Sequence, residues 1–252
     1  MKRLPALDGL RGTLACVVFL HHAFEHNLLL HYLSQAAVAA FFVISGNVLT
    51  RSWDGRFGKF LVRRFLRLWP LFVLCLGAGF LLSRQPVVWT QFFWFPLIGP
   101  NDPVQIDPPA WSLCIEAWAM LAMPLFVWAG TGSIIRAELA VFACVLGVLV
   151  DPRIFFGVFF ILGAWTARFD IRLAALEWSL PQWLGRISYS FYLSHWLVLH
   201  YVPGGLPVTG PLSFLIGWLL CETVEKWSIR ASRLWRPAPA RDAVRPASLA
   251  VG

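Results

Sequence analysis

Residues 7–24 read LDGLRGTLACVVFLHHAF, an apolar run with an arginine near its start and two histidines near its end. At roughly 1.5 Å per residue of helix, Arg11 and His22 would lie about 16 Å apart along one helix. That is about half of the roughly 30 Å hydrocarbon core of a bilayer. Ionisable groups at membrane depth are costly and usually mark a functional site. The run therefore predicts a membrane helix with a fixed positive charge at one interface and a candidate base in its middle-to-far part.

The composition of the whole chain favours a membrane-embedded fold. Hydrophobic residues make up 58% of the 252 residues and charged residues only 13%, about half the charge of an ordinary soluble domain. The 14 Trp and 21 Phe residues are typical of rings that anchor at membrane interfaces. A net charge of +8 would indicate nucleic acid only if the basic residues formed a soluble patch, and they fall between apolar spans instead. We predict a single all-α, polytopic membrane domain that binds the lipid bilayer and no nucleic acid.

The cysteines and the first residues of the chain exclude two other readings. The five cysteines are scattered through apolar segments without a CxxC pair or a zinc-like cluster, so we expect buried free thiols and no metal site. Lys2 and Arg3 look like the start of a signal peptide. The span after them holds two histidines and a glutamate, however, and no small-residue cleavage site follows. We expect a retained first helix.

About eight membrane spans can be drawn, each near the 17–25 residues of a crossing helix or slightly shorter. They are residues 10–30, 35–50, 69–83, 111–129, 137–150, 154–168, 186–202 and 211–229. Asp151-Pro152 separates the fifth and sixth spans, and one kinked element over 137–168 is the alternative. The aromatic and proline-rich stretch 84–110 is predicted to lie in the interface or to re-enter. Residues 1–229 would then form the transmembrane domain, and 230–252, rich in Arg, Pro and Ala, a disordered tail.

The basic residues predict the orientation of these spans. With the N-terminus in the cytoplasm, only Arg84 and Arg153 of the 21 lysines and arginines fall on the outer side. Loops on the cytoplasmic side carry an excess of Lys and Arg. The asymmetry favours a cytoplasmic N-terminus, and an even number of spans places the C-terminus in the cytoplasm too.

The polar residues inside the spans are the candidates for chemistry. His22 and Glu116 reach a similar depth in this layout, on different helices, so they could form a base and its orienting carboxylate. Alternatively, Glu116 forms a structural interhelical hydrogen bond and His22 packs in the core. The other polar residues within the spans include Ser45, Ser112, Tyr192 and His195, and the last two share one helix face.

The arginines between the second and third spans have two readings. Arg64 and Arg67 are three residues apart on a predicted interfacial helix, so their guanidinium groups point the same way. Together with Arg11 they could bind a phosphorylated ligand bidentately. Topology determination and contact with lipid headgroups remain the alternatives.

Five motifs resemble, in order, those of the acyltransferase-3 family of integral membrane O-acyltransferases. They are LDGLRG at 7–12 continuing to His21-His22, FFVISG at 41–46, RRFLRLWP at 63–70, WSLCIE at 111–116 and ISYSFYLSHW at 187–196. Each motif alone is weak, but five in family order are specific. The chain looks like a short member without a fused extracytoplasmic domain.

The resemblance implies transfer of an acyl group, often acetyl, from cytoplasmic acyl-CoA to a hydroxyl of an extracytoplasmic glycan or similar acceptor. The expected location is the bacterial cytoplasmic membrane, with acyl-CoA as co-substrate and no resident cofactor. His22 and Glu116 would be catalytic, and Arg11, Arg64 and Arg67 would bind acyl-CoA. The supporting residues would be Asp8, Ser45, Ser112, Tyr192 and His195.

Two questions of mechanism and class stay open at this point. The acceptor hydroxyl could attack the thioester directly, or His22 could be acylated first. A proton-coupled carrier with a His/Glu relay would also explain ionisable groups at membrane depth, but it gives no reason for three arginines on one face. Such carriers are often built from internal repeats, and the sequence has none that we detect. A non-catalytic scaffold would not need these residues.

Overall fold

The computed structural model describes residues 4–85, 92 and 106–235, and this part of the chain is helical, which confirms the predicted all-α class. Its α-helices are α1 (Pro5–Ala23), α2 (Leu28–Arg51), α3 (Phe57–Ser83), α4 (Trp111–Leu121), α5 (Met123–Thr131), α6 (Ile134–Gly147), α7 (Gly157–Thr166), α8 (Ser179–Tyr201), α9 (Leu206–Leu220) and α10 (Lys226–Arg233). Short 3₁₀ segments precede α4, α7 and α8, and a π-helical turn, Cys221–Glu225, joins α9 to α10.

Three helices in the described part are long and apolar enough to cross a membrane: Leu28–Arg51, Phe57–Ser83 and the continuous Leu206–Arg233. The pair α4 and α5 passes the same test as one broken span, bent by 73°. Pro124, at the start of α5, has no N–H to continue the hydrogen-bond ladder of α4. The predicted eight spans and the orientation of the termini therefore stay predictions. The helices α1 and α8 do not pass this test, and both carry the polar residues of the candidate site.

The structure corrects two of the predicted boundaries near the N-terminus. The first helix ends at Ala23, not near residue 30, and α2 begins at Leu28, where the side chain of Asn27 accepts a hydrogen bond from the backbone N–H of Leu30 at 3.1 Å. The basic segment and the third span, predicted as separate elements, form the single helix α3. The short polar turn 52–56 is the only break between α2 and α3 in the described chain.

Farther along, the region 137–168 is two separate helices, α6 and α7, and not one kinked element. Asp151 lies between them and accepts a hydrogen bond from the backbone N–H of Arg153 at 2.9 Å, which stabilises the turn. At the C-terminal end, α10 continues to Arg233, into the predicted disordered tail, whereas 236–252 lie outside the described residues. Most of the predicted interfacial stretch 84–110 also lies outside them.

The helices α1 and α8 pack side by side and run in the same direction. Their backbones meet at Gly12 and Gly185, where a Cβ added to Gly12 would lie 2.4 Å from the backbone nitrogen of Gly185. Farther along both helices, the rings of His22 and His195 are 5.3 Å apart, centre to centre. The spacing from Gly12 to His22 on α1 equals the spacing from Gly185 to His195 on α8. The glycine contact therefore sets the register in which these two histidines meet.

Candidate functional site

A cluster of charged side chains, which we call the arginine pocket, lies where five helices and the π-helical turn meet. It encloses about 40 Å³. Its polar lining residues are Arg11 on α1, Ser45 on α2, Arg64 and Arg67 on α3, Glu116 on α4, Tyr189 on α8 and Glu225 on the π-helical turn. The structure therefore brings together the three arginines that the sequence places on separate stretches. The role of each arginine in ligand binding stays a prediction.

Two acidic side chains lie beside the arginines of the arginine pocket. The carboxylate of Glu116 accepts a hydrogen bond from the hydroxyl of Ser45 at 3.0 Å. Glu225 is buried and accepts one from Ser190 at 2.5 Å. Three guanidinium groups thus lie near two acidic side chains, whose attraction offsets part of the cost of placing charge away from water.

Arg64 is held by contacts of its own on the side toward the 52–56 turn. One guanidinium nitrogen donates to the hydroxyl of Ser52 at 2.6 Å, and the group lies over the ring of Phe60 at 5.6 Å. Asp8, predicted as a supporting residue, lies one turn before Arg11 on α1 and is close enough to act electrostatically on Arg67.

A second small cavity, of about 50 Å³, adjoins the arginine pocket and shares Arg11, Ser45, Glu116 and Tyr189 with it. Its far wall contains Ser112 and Tyr192. The hydroxyl of Ser112 donates to the carbonyl oxygen of Pro109 at 3.1 Å, so the phenol of Tyr192, 2.9 Å away, donates to Ser112.

Cavities of this size hold a few water molecules, and they are too small for the adenosine and phosphate groups of CoA. Among the described residues, no group of three or more His, Cys, Asp or Glu is placed to hold a metal ion.

The predicted catalytic histidine lies in a different place, at the end of α1. His22 is in the last turn of that helix and half-buried, and it borders an open recess of about 580 Å³ formed by residues 22–27. Its ring neighbours are His21 at 5.0 Å and His195 at 5.3 Å. His195 is completely buried, and its Nδ1 lies 2.8 Å from the carbonyl oxygen of Tyr192.

The expected pairing of His22 with Glu116 is not formed. Glu116 shares the arginine pocket with Arg11, whereas His22 lies about 16 Å farther along α1. The sequence prediction placed Arg11 at the inner interface and His22 about half a bilayer above it, at the depth of Glu116, whereas in the structure Arg11 itself lies beside Glu116 in the arginine pocket. Because α1 ends at Ala23, His22 lies at the end of its helix, while Glu116 is five residues, about 8 Å, inside α4. The imidazole and the carboxylate therefore belong to separate polar centres.

The sequence prediction missed two residues of the arginine pocket, Glu225 and Tyr189. The phenol of Tyr189 donates to the carbonyl oxygen of Leu68 at 2.6 Å, which ties α8 to α3. In the sequence, Glu225 lies near the end of the last predicted span, three residues after Glu222. Two glutamates three residues apart lie on the same helix face, so the sequence is compatible with both facing water at the end of the span. In the structure, the π-helical turn instead buries Glu225. A buried carboxylate near three arginines could be suspected from charge balance, but its position depends on that turn.

A further hollow lies on another face of α4, between that helix and the region of α5 to α7. It has a volume of about 400 Å³ and is lined mainly by apolar side chains, among them Trp118, Phe126 and Phe160. It shares no lining residue with the arginine pocket, the second small cavity or the recess beside His22, so we assign it no part in the chemistry.

Comparisons with known proteins fit this arrangement. The family model described as an acyltransferase domain, that of the acyltransferase-3 family, matches residues 4–152. Acyltransferase MdmB from Streptomyces mycarofaciens is 31% identical over 153 residues, and the match covers 49% of this chain and 39% of that relative. The chain thus spans about two fifths of the relative it matches. No solved structure matches the chain.

Three helices long and apolar enough to cross a membrane, together with these matches, define the class of the protein as an integral membrane protein with an acyltransferase-type domain. The chain belongs to the acyltransferase-3 family. The matched range includes the three arginines, Glu116 and His22, whereas the partners that α8 and the π-helical turn provide lie beyond it.

Proposed function

We propose that the protein transfers an acyl group, with acetyl the expected one, from cytoplasmic acyl-CoA to a hydroxyl of an extracytoplasmic carbohydrate or similar acceptor. Its location would be the bacterial cytoplasmic membrane, with both termini in the cytoplasm. The observation that carries the proposal is the succession of polar groups within one apolar bundle. The arginine pocket, the Ser112–Tyr192 hydrogen bond and the His22–His195 pair follow one another along α1 and α8.

In the reaction, His22 acts as the base. Its ring takes the proton of the acceptor hydroxyl while the hydroxyl oxygen attacks the thioester carbonyl carbon. A C–O bond forms, the C–S bond breaks, and the proton passes from His22 to the departing CoA sulfur. Half-burial of His22 beside an open recess supports access for a hydroxyl from that side. In the relay alternative, His22 itself is acylated and then passes the acyl group to the hydroxyl.

The arginines supply the positive charge that the phosphates of acyl-CoA require. Guanidinium groups bind phosphate oxygens through two parallel hydrogen bonds. Because Glu116 and Glu225 already balance part of this charge, phosphate binding would replace internal contacts, such as the one from Arg64 to Ser52. The small cavities must widen for the pantetheine arm, and opening the Ser112–Tyr192 hydrogen bond is the simplest way to do so.

The base is tested in membranes that contain the full-length protein and radioactive acetyl-CoA. Label should reach a hydroxyl acceptor with the wild type and not with His22→Ala. His200→Ala is the matched control, since His200 is an exposed histidine on α8, stacked on Trp196, and it should transfer normally. Equal labelling by wild type and His22→Ala would remove His22 from the mechanism. No labelling by the wild type would favour a proton-coupled carrier, for which proton flux across the vesicles is the measurement.

The arginines are tested by direct binding of acetyl-CoA to the purified protein. The double variant Arg64→Ala, Arg67→Ala should bind more weakly, by about tenfold or more, since a hydrogen bond to a charged group is worth roughly 1.5–3 kcal/mol. Lys59→Ala removes an exposed charge from the same helix and serves as the control. Unchanged affinity in the double variant, with normal insertion, would mean that these arginines determine topology only.

A further inference from the structure

His195 has an unusual hydrogen-bonding state for a buried side chain. It is completely buried, and its Nδ1 lies 2.8 Å from the carbonyl oxygen of Tyr192 and 3.2 Å from that of Phe191. A carbonyl oxygen only accepts hydrogen bonds, so Nδ1 carries the hydrogen and Nε2 of the neutral ring is an acceptor. This Nε2 is buried and has no hydrogen-bond partner in the described part of the protein. Buried polar atoms without a partner are rare and call for an explanation.

The surroundings of His195 point to one partner. The rings of Phe19 and Phe191, 6.1 Å and 5.7 Å away, cannot donate a hydrogen bond. The phenol of Tyr192 is used by Ser112. The ring of His22, 5.3 Å away and tilted by 44°, carries an N–H that can donate. A separation of 5.3 Å between ring centres leaves room for a hydrogen bond when a nitrogen of each ring points toward the other ring.

We propose that His195 is the positioning residue for His22: its Nε2 accepts a hydrogen bond from one ring nitrogen of His22 and leaves the other to act on the substrate. The inference rests on the proposed role of His22 as the base, and it assigns to His195 the orienting part that the sequence assigned to Glu116. The proton taken from the acceptor hydroxyl stays on His22 until it passes to the CoA sulfur. His195 exchanges no proton and forms no covalent bond.

The fold favours His195 over the other histidine beside His22. The ring of His21 is as close, at 5.0 Å, and its Nδ1 also lacks a partner among the described residues. His21 is only half-buried, however, and within the described part of the chain no hydrogen bond holds its ring, so no contact there fixes which of its nitrogens accepts. His195 is held by backbone carbonyls, and the contact of Gly12 with Gly185 fixes its helix against that of His22. An orienting group must itself be held in place.

Two substitutions of His195, by side chains of different length, test the proposal. The amide of glutamine ends near the position of Nε2, where its oxygen can accept a hydrogen bond, whereas the shorter amide of asparagine ends near Nδ1. We expect His195→Asn to lower kcat for acetyl transfer by at least about tenfold, a part of the roughly 10²–10⁴ that a positioned base contributes. KM for acetyl-CoA should be unchanged, since the arginine pocket is untouched. His195→Gln should restore most of the activity, and His200→Asn is the control on the same helix.

Each result decides between the alternatives. Wild-type kcat in His195→Asn would overturn the proposal while a loss in His22→Ala still supported the proposed function. Equal losses in His195→Asn and His195→Gln would make His195 a packing residue and would also overturn it. If His195→Asn does not insert, His195→Gln decides alone: a loss as deep as that of His22→Ala rejects the proposal. A wild-type protein without any transfer activity would overturn both inferences together.

Discussion

The close packing of α1 on α8 gives a quantitative test of how the two polar centres are held. A Cβ at residue 12 would lie 2.4 Å from the backbone nitrogen of Gly185 and 2.5 Å from the carbonyl carbon of Leu184. Both are backbone atoms, which cannot move aside as the end of a flexible side chain can. In the variant Gly12→Ala, α1 and α8 must therefore separate by about 1 Å to restore an ordinary contact of 3.4 Å.

This displacement would reach both centres, because Arg11 is adjacent to Gly12 and the histidine pair depends on the same helix register. A misplacement of about 1 Å can cost about 10²-fold in rate. We therefore expect Gly12→Ala to lower kcat for acetyl transfer by about 10²-fold, measured in membranes with equal amounts of inserted protein.

The control for this experiment is Gly77→Ala on α3, where an added Cβ meets no atom within 4 Å. It should transfer at the wild-type rate and be more stable by up to about 1 kcal/mol, because alanine favours a helix over glycine. Wild-type activity in Gly12→Ala would refute the reasoning, since it would mean that the register of α1 on α8 does not position the reacting groups. A loss of activity in both variants would indicate a general defect in insertion.

Two further predictions concern charge. Glu225→Leu leaves the buried hydroxyl of Ser190 without its acceptor and should lower the free energy of unfolding by about 1–3 kcal/mol. Glu222→Leu, at a half-exposed residue paired with Lys226, should change it by less than about 1 kcal/mol. Thermal unfolding in detergent measures both, and equal effects would contradict the assignment. In the 52–56 turn, Arg63 holds the pKa of Asp54 below its ordinary value of 3.8. The stabilisation from Asp54 should therefore be present above pH 3.8 and be lost as the pH falls through the lower pKa of the folded state. Asp54→Asn should remove this loss from a plot of the free energy of unfolding against pH. If the acid part of the plot is unchanged in the variant, the Asp54–Arg63 pair is not its source.

The sequence predicted the helical class and the gathering of the arginines because both follow from local patterns. Runs of apolar residues identify helices. Arg11, Arg64 and Arg67 each lie near the predicted cytoplasmic end of a span. The pairing of His22 with Glu116 failed for a reason of the same kind. The depth of His22 was counted from Arg11, taken to lie at the membrane interface, whereas Arg11 lies at the level of Glu116 in the arginine pocket. A local pattern does not show how one helix is placed along its neighbour.

Other parts of the site depend on tertiary contacts that no local pattern contains. The π-helical turn aims Glu225 at the arginines, and its extra residue has no signature in the segment Cys221–Glu225. The meeting of His22 with His195 follows from the contact of Gly12 with Gly185. Either glycine alone could equally serve a loop or a helix end, and only the packed pair reveals that the two helices are in register.

The internal charge balance has a consequence for how a phosphorylated ligand would be recognised. Three guanidinium groups without partners would be very costly in an apolar bundle, and Glu116 and Glu225 lie close enough to offset part of that cost before any ligand arrives. In the proposed function, binding of acyl-CoA is then an exchange of partners and not a simple attraction of opposite charges. Long-range attraction would make affinity fall steeply with added salt, whereas an exchange of short, buried contacts depends on the bidentate geometry of the guanidinium groups. Arg64→Lys would keep the charge of the pocket but lose that geometry. If the bidentate geometry of Arg64 recognises the ligand, Arg64→Lys should bind acetyl-CoA almost as weakly as Arg64→Ala. If the positive charge alone is recognised, Arg64→Lys should bind it like the wild type.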